Sequence, residues 1–282
     1  MNNYSLIQNK IFSGKEITTE EWQLTTNYIQ SQNTSATYET MKTLRSVDGL
    51  NSYSELAEMI SASKGNTVLE IGCAEGNLYN YLDSSFEYTG IDKSESEIQL
   101  AKEKYGETAH FFDQPLEKLD CGDQSFDVVT SHMVLHIIAD LQSIMKKSYD
   151  LLKDEGRVIA VMRSAKSMDP ILLHFKDLVQ KFIQEKYPDF KLLIPMNTYS
   201  HDSLRAICRD IGFKDINIIT KEFTDVYDSD RLATLFMSLF PACLLDENSQ
   251  SKLRSKIVFD FLDLYSNHIS IKFSFDYITV VK

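Results

Sequence analysis

Acidic residues and a turn of small residues stand where apolar runs of this sequence stop, and their spacing is its first chemical feature. The run VLEIGCAEGNL, residues 68–78, passes from apolar residues into Gly72, Cys73, Ala74 and Gly76. Asp92 closes a second run, FEYTGID, twenty positions after Gly72. Asp113 closes a third, AHFFD, and the fourth, SFDVVTSHMV, carries His132 with His136 just beyond. Small residues at a turn let a ligand approach the backbone. A helix starting after the turn would add unpaired N–H groups and the positive end of a dipole. A carboxylate some twenty residues further on is placed to accept hydrogen bonds from ribose hydroxyls, and Asp113 to meet an adenine amino group. Each feature alone has a plain structural use: a strand-to-helix turn, a helix cap at Asp92, a turn former at Asp113. Gathered at successive strand ends, where open parallel sheets bind ligands, they point to a nucleoside-containing cofactor.

The fingerprint G-x-G-x-x-G of dinucleotide binding is not met. Ala74 stands between Gly72 and Gly76, and Asn77 and Leu78 follow. Glu70, just before the turn, would repel a pyrophosphate. A cofactor without phosphate and with a cationic centre suits that carboxylate, and S-adenosylmethionine fits the description.

The elements that must position these residues follow from periodicity. Residues 16–60 are polar with apolar positions at helical spacing, and ITTEEW carries Thr18 and Glu21 at the spacing of a helix start. NTVLEIG, FEYTGID, AHFFD, SFDVVTSHMV and RVIAVM read as five short strands. NLYNYLDSS, SESEIQLAKEKYG (capped by Ser94, stopped by Gly106) and MKKSYDLLKDEG (ending at Gly156) read as helices. Strands alternating with helices predict a doubly wound, mainly parallel α/β sheet. Beyond Arg163 the alternation breaks into helical insertions at 164–196 and 228–266. Between them lie the helix SHDSLRAICRDIGF and the strand KDINIITKEF, and the closing strand is IKFSFDYITVVK. The sequence predicts one domain: an N-terminal helical lid over 1–60, a cofactor-binding core over 66–163, two lid insertions and a closing strand over 267–282.

Taken in order, these stretches resemble the class I S-adenosylmethionine-dependent methyltransferases. VLEIGCAEG is similar to their first motif and GIDKSESEIQLAKEKY to their second. FFDQPLEKLDCGDQSFDVVTSHMVLHII follows the stretch through strand four. LLKDEGRVIAVM is similar to their LLKPGGxL segment, with Asp154 and Glu155 in place of proline and glycine. The resemblance implies a Rossmann-like sheet of seven strands with the last antiparallel, S-adenosyl-L-methionine as cofactor and S-adenosyl-L-homocysteine as product. It implies Glu70, Gly72, Cys73, Ala74 and Gly76 around the methionine portion, and Asp92 with Lys93 at the ribose. Asp113 and Gln114 would meet the adenine, with Ser131 and His132 near the methionine end. The stretch beyond Arg163 is loosely similar to the trans-aconitate and juvenile hormone acid carboxyl methyltransferases. By that likeness Trp22, Tyr28, His174, Tyr199 and Phe236 are candidates to line the acceptor pocket; core packing accounts for each as simply.

Methyl transfer from a sulfonium chiefly demands alignment of nucleophile, methyl and sulfur. A carboxylate acceptor is already anionic at neutral pH, whereas a phenol, amine or hydroxyl calls for a general base. His132 is the catalytic candidate, and His136 in MVLHII reads as a packed residue. The expectation is a methyltransferase acting on a small-molecule oxygen, with a carboxylate as the narrower case. The alternatives are a non-catalytic binder of the same cofactor and a protein or RNA methyltransferase. A formal net charge of −12 with no basic cluster argues against a nucleic-acid partner. Four scattered cysteines, Cys73, Cys121, Cys208 and Cys243, form no paired spacing for a metal or a disulfide framework. The longest apolar stretch, LATLFMSLFPACLL, is too short to span a bilayer and is broken by Pro241. With no signal-like N-terminus, the expected setting is cytoplasmic.

Overall fold

The computed structural model describes residues 3–32, 35–166, 168–191, 199–239, 241–265 and 267–282. Along the chain lie α1 (Asn3–Phe12), α2 (Thr19–Gln32), α3 (Ala36–Met41), α4 (Ser52–Ser61), β1 (Thr67–Ile71), β2 (Glu87–Asp92), α5 (Glu95–Tyr105), β3 (His110–Asp113) and β4 (Phe126–His132). Then follow α6 (Leu141–Leu151), β5 (Leu152–Arg163), α7 (Pro170–Lys186), α8 (His201–Ile211), β6 (Lys214–Tyr227), α9 (Ser229–Ser238), α10 (Glu247–Leu264) and β7 (Ile269–Val281). Thr18 and Glu21 close a reciprocal capping box at the start of α2, Glu21 accepting from the Thr18 amide at 2.9 Å and Thr18 from the Glu21 amide at 3.2 Å. Ser94 caps α5 and Gly106 ends it, while Ser200 and Gly212 bracket α8.

The seven strands form one sheet in the order β3-β2-β1-β4-β5-β7-β6. Strands β1 to β5 are parallel neighbours, and β7 runs antiparallel to β5. This is the mainly parallel, seven-stranded arrangement that the alternation and the resemblance predict. At the end of the sheet where β1 and β4 begin, Asp127 gathers the Thr67 amide at 3.0 Å, its hydroxyl at 2.6 Å and the Lys153 ammonium at 3.0 Å. Burial pushes that carboxyl up, but the bonds from Thr67 and Lys153 outweigh it and hold the group down to about 2. One sheet face carries Leu69, Val129 and Ala160 against Ile144 and Met145 of α6 and Leu204 of α8.

The chain packs as two compact units. The larger comprises residues 41–166, 196–223 and 274–282; the smaller comprises 1–40, 167–195 and 224–273. The smaller has its own core, in which Phe175 and Val179 of α7 meet Leu232 and Phe236 of α9 and Ile257 and Phe261 of α10. The apolar stretch around Pro241 contains the helix α9, with Leu232, Ala233, Leu235 and Phe236 buried, and a 3-10 turn at Ala242–Leu244. Among the described residues no helix is long and apolar enough to cross a membrane.

Several predicted elements differ. The expected helix in NLYNYLDSS is a five-residue 3-10 turn, Asn77–Tyr81. Its tyrosines are drawn into separate packing, Tyr79 against Tyr88 and Tyr105 and Tyr81 onto Tyr53, so the turn does not propagate. The helix expected to reach Gly156 ends at Leu151, because Leu152 pairs with Phe126 as the start of β5. The helical stretch over 16–60 is three helices, with residues 42–51 non-helical, and α1 lies ahead of it. Of the insertion at 164–196, residues 167 and 192–196 lie outside those described.

Candidate functional site

The parallel register brings the predicted strand ends to one edge of the larger unit. Ile71 is level with Ile91, Asp92 with Asp113, and His132 with Val161. The loop after β1 is tied to the end of β2, since the amides of Gly72 and Cys73 both donate to the Ile91 carbonyl, at 2.8 and 3.0 Å. Asp92 completes the tie: one carboxylate oxygen accepts from the Ala74 amide and the other from the Ser94 amide, each at 2.9 Å. Burial nonetheless raises its proton affinity. Ser131 binds the edge from the other side, its hydroxyl donating to the Ile71 carbonyl at 2.9 Å.

The loop's backbone explains its residue types in part. Gly72 and Gly76 have φ of +72° and +75°, and Ala74 has +46°. That is the left-handed region that glycine occupies without penalty and alanine does not. The space left by the missing side chains is taken by this chain itself. A Cβ at Gly72 would lie 2.4 Å from Val134, one at Gly76 2.8 Å from Phe111, and one at Gly90 2.7 Å from the Cys73 sulfur. Cys73 is therefore packing, and burial pushes its thiol up well beyond the ordinary range. The helix dipole expected beyond the loop falls away with the five-residue turn.

Three carboxyls surround the loop without an ion pair among the described residues: Glu70, Asp92 and Glu97. Glu70 is 2% exposed and accepts from the Tyr88 hydroxyl. Burial pushes it up to about 8, with the Asp92 charge adding to the rise and the Tyr88 bond opposing it. Glu97, in the first turn of α5, is pushed up to about 7 by burial and by the charges of Glu75 and Asp92. Lys93 is exposed beside Asp92, and at the end of β3 Asp113 is exposed and Gln114 half-buried. This set suits a ligand that is phosphate-free and cationic: a carboxyl whose proton affinity burial has raised regains its charge most easily beside a positive centre. Among the described residues no group of three His, Cys, Asp or Glu side chains could hold a metal ion.

His132 is enclosed. Its ring stacks on Tyr53 of α4 with centroids 3.9 Å apart, and its Nε2 lies 2.9 Å from the Ser52 hydroxyl. Burial pushes it down to about 3, with His136 contributing, so the imidazole is neutral. Of the aromatics named for the acceptor pocket, Trp22 and Phe236 are buried in the smaller unit, where Tyr28 is exposed and His174 meets Asp260 at 2.8 Å on the surface. Tyr199 belongs to the larger unit and packs on its core. Sequence reasoning missed Ser52, Tyr53, Tyr88 and Arg163. The first three are joined to their partners only by tertiary packing. Arg163 carried a legible signal, a charge closing the buried apolar run Val158–Met162.

Residues 49–218 match the family model described as a methyltransferase domain. Among similar proteins, phosphoethanolamine N-methyltransferase 3 of Arabidopsis thaliana is 26% identical over 64% of this chain, which spans only 35% of that protein. Juvenile hormone acid O-methyltransferase of Bombyx mori is 25% identical, with 86% of this chain and 94% of that protein covered. Phosphoethanolamine N-methyltransferase 2 of Haemonchus contortus, solved in complex with S-adenosyl-L-methionine, shares the fold with a TM-score of 0.55 at 17% identity, covering 95% of this chain and 60% of that one. With its sheet order, its acidic loop and a family match over more than half its length, the chain belongs to the methyltransferase-domain family and is of the class I, S-adenosylmethionine-dependent kind.

Proposed function

We propose that the protein binds S-adenosylmethionine at the edge formed by β1, β2 and β3 and transfers its methyl group to an oxygen of a small molecule, a carboxylate in particular. The observation that carries the cofactor reading is the set of carboxyls around a left-handed loop, Glu70 and Glu97 buried and Asp92 half-buried, with no phosphate-binding base among them. In this reading Asp92 holds the ribose hydroxyls while bracing the loop, Asp113 and Gln114 meet the adenine, and Glu70 lies toward the methionine portion. The bound cofactor supplies the electrophilic methyl. The chain's residues bind it, shape the loop and exclude water.

His132 supports the narrower acceptor. A neutral imidazole stacked on Tyr53 and held at Nε2 by Ser52 suits a positioning role better than proton removal. A carboxylate needs no proton removed before it attacks the methyl. The similarity to a juvenile hormone acid O-methyltransferase along 86% of the chain is in keeping with this.

Titration calorimetry with S-adenosylmethionine and S-adenosylhomocysteine tests the binding, and tritiated-methyl transfer to fractionated metabolite extracts tests the reaction. Heat with both ligands and label in a base-labile ester fraction are expected. Absence of heat with either ligand refutes the cofactor assignment. Label confined to amine products refutes the oxygen acceptor.

A further inference from the structure

Among the described residues, Arg163 of the larger unit is a half-buried cation whose side chain makes no ion pair or hydrogen bond, and it stands at the end of the sheet where the acceptor must come. Arg163 is the last residue of β5 and is half-buried. Alternation along β5 puts it on the same face as Val161, which is level with His132 on one side and Tyr277 on the other. Strand β4 stops at His132, so Arg163 reaches two residues past the end of its neighbour. The chain turns there, the Met133 amide donating to the Val161 carbonyl at 2.7 Å, and the 3-10 turn Leu135–Ile137 brings His136 against the end of β5.

His136 is 5% exposed, and its Nδ1 is buried with no hydrogen-bond partner. The Arg163 charge acts on it and, after burial, is the second cause that holds the imidazole neutral. No described acid answers the guanidinium. Asp276 is level with Met162, on the opposite face, and is occupied by the Thr220 hydroxyl at 2.6 Å and by His201 at 3.1 Å. Glu55 is held through Oε2 by Lys221 at 2.9 Å, and its buried Oε1 makes no hydrogen bond to Arg163. A half-buried guanidinium and a buried imidazole nitrogen left without partners are unfavourable unless something else supplies them. The planar fork of arginine matches a carboxylate with two parallel hydrogen bonds, and a neutral histidine protonated at Nδ1 offers a third donor.

We infer that Arg163 and His136 form a carboxylate-binding subsite at the ends of β5 and β4, which anchors an acidic acceptor. The inference rests on the methyltransferase reading for its role in catalysis, but the subsite itself can be read by binding alone.

The test is calorimetric titration of the full chain with acetate, benzoate and decanoate, against methyl benzoate and methyl decanoate, each with and without S-adenosylhomocysteine. At least one carboxylate is expected to bind more tightly than its methyl ester. Arg163→Gln is expected to weaken it at least about tenfold, Arg163→Lys to retain part of the affinity, and His136→Gln to weaken it about threefold or more. S-adenosylhomocysteine affinity should change less than about twofold in all three variants, which reports that they are folded. Carboxylate binding unchanged in Arg163→Gln overturns the subsite, as does ester binding equal to acid binding. So does failure of every carboxylate to bind a chain that holds S-adenosylhomocysteine. A chain that binds carboxylate through Arg163 but not S-adenosylhomocysteine keeps the subsite and refutes the methyltransferase reading alone.

Discussion

At the scale of single residues, the loop after β1 is defined by conformation and by contact with the chain's own side chains. Gly72 meets Val134 where a Cβ would be, at 2.4 Å, and also has positive φ. Gly72→Ala should destabilise the fold by roughly 2–4 kcal/mol, from left-handed strain and overpacking together. Val134→Ala in the same chain should recover part of that loss, and a denaturant double-mutant cycle measures the share due to the clash. Glu70 makes a pH prediction with a definite sign. Its carboxyl is pushed up to about 8 in the fold, above its ordinary value of 4.5, so the folded chain holds a proton that the unfolded chain has lost. The stabilising contribution is full below pH 4.5 and is lost as pH rises toward 8. Glu70→Gln should flatten this part of the stability profile in melts from pH 5 to 9. If the sulfonium sits beside Glu70, affinity for S-adenosylmethionine relative to S-adenosylhomocysteine should rise with pH up to about 8 and then level off. A constant ratio in calorimetry would place the sulfonium elsewhere.

At the scale of elements, what could be read in the sequence was whatever repeats locally. Five apolar runs, closing at Gly72, Asp92, Asp113, Val134 and Met162, declared themselves by length and flanking residues, and so did the caps Thr18, Ser94 and Ser200. The 3-10 turn at Asn77–Tyr81 did not, because its tyrosines are arranged by Tyr53, Tyr88 and Tyr105 from distant segments. Helix α4 falls within the stretch read as helical, but the contact of its Ser52 and Tyr53 with His132, some eighty positions away, was not legible. That packing is testable. Tyr53→Ala should cost roughly 3 kcal/mol through loss of a buried ring. His132, pushed down to about 3, binds no proton in the fold at pH values where the unfolded chain, with an ordinary value of 6.5, does. Its contribution to stability is therefore present above pH 6.5 and is lost as pH falls toward 3. His132→Phe keeps a ring on Tyr53 and should lower by about one the number of protons taken up on unfolding near pH 5, read from the slope of stability against pH.

At the scale of the whole molecule, the two units have separate cores, one built on the sheet and one on α7, α9 and α10. A ligand stabilises the part that binds it by mass action, about 2.7 kcal/mol at a hundredfold excess over Kd. Saturating S-adenosylhomocysteine should therefore raise the unfolding temperature of the larger unit in scanning calorimetry, and Asp92→Ala should cut that rise by weakening binding roughly 1–3 kcal/mol. An unchanged rise in the variant would remove Asp92 from the ribose site.

The sheet order has one more consequence, for synthesis on the ribosome. Strand β6 is made before β7, yet it joins the sheet only through β7, which lies between it and β5. While the chain is still being threaded out, β5 therefore presents a bare edge and β6 has nothing to dock on. Closure of that side of the sheet is deferred until the thirteen residues of β7 clear the exit tunnel. A nascent chain stalled within them would expose two unpaired strands at once, the kind of edge that chaperones cover and aggregates recruit.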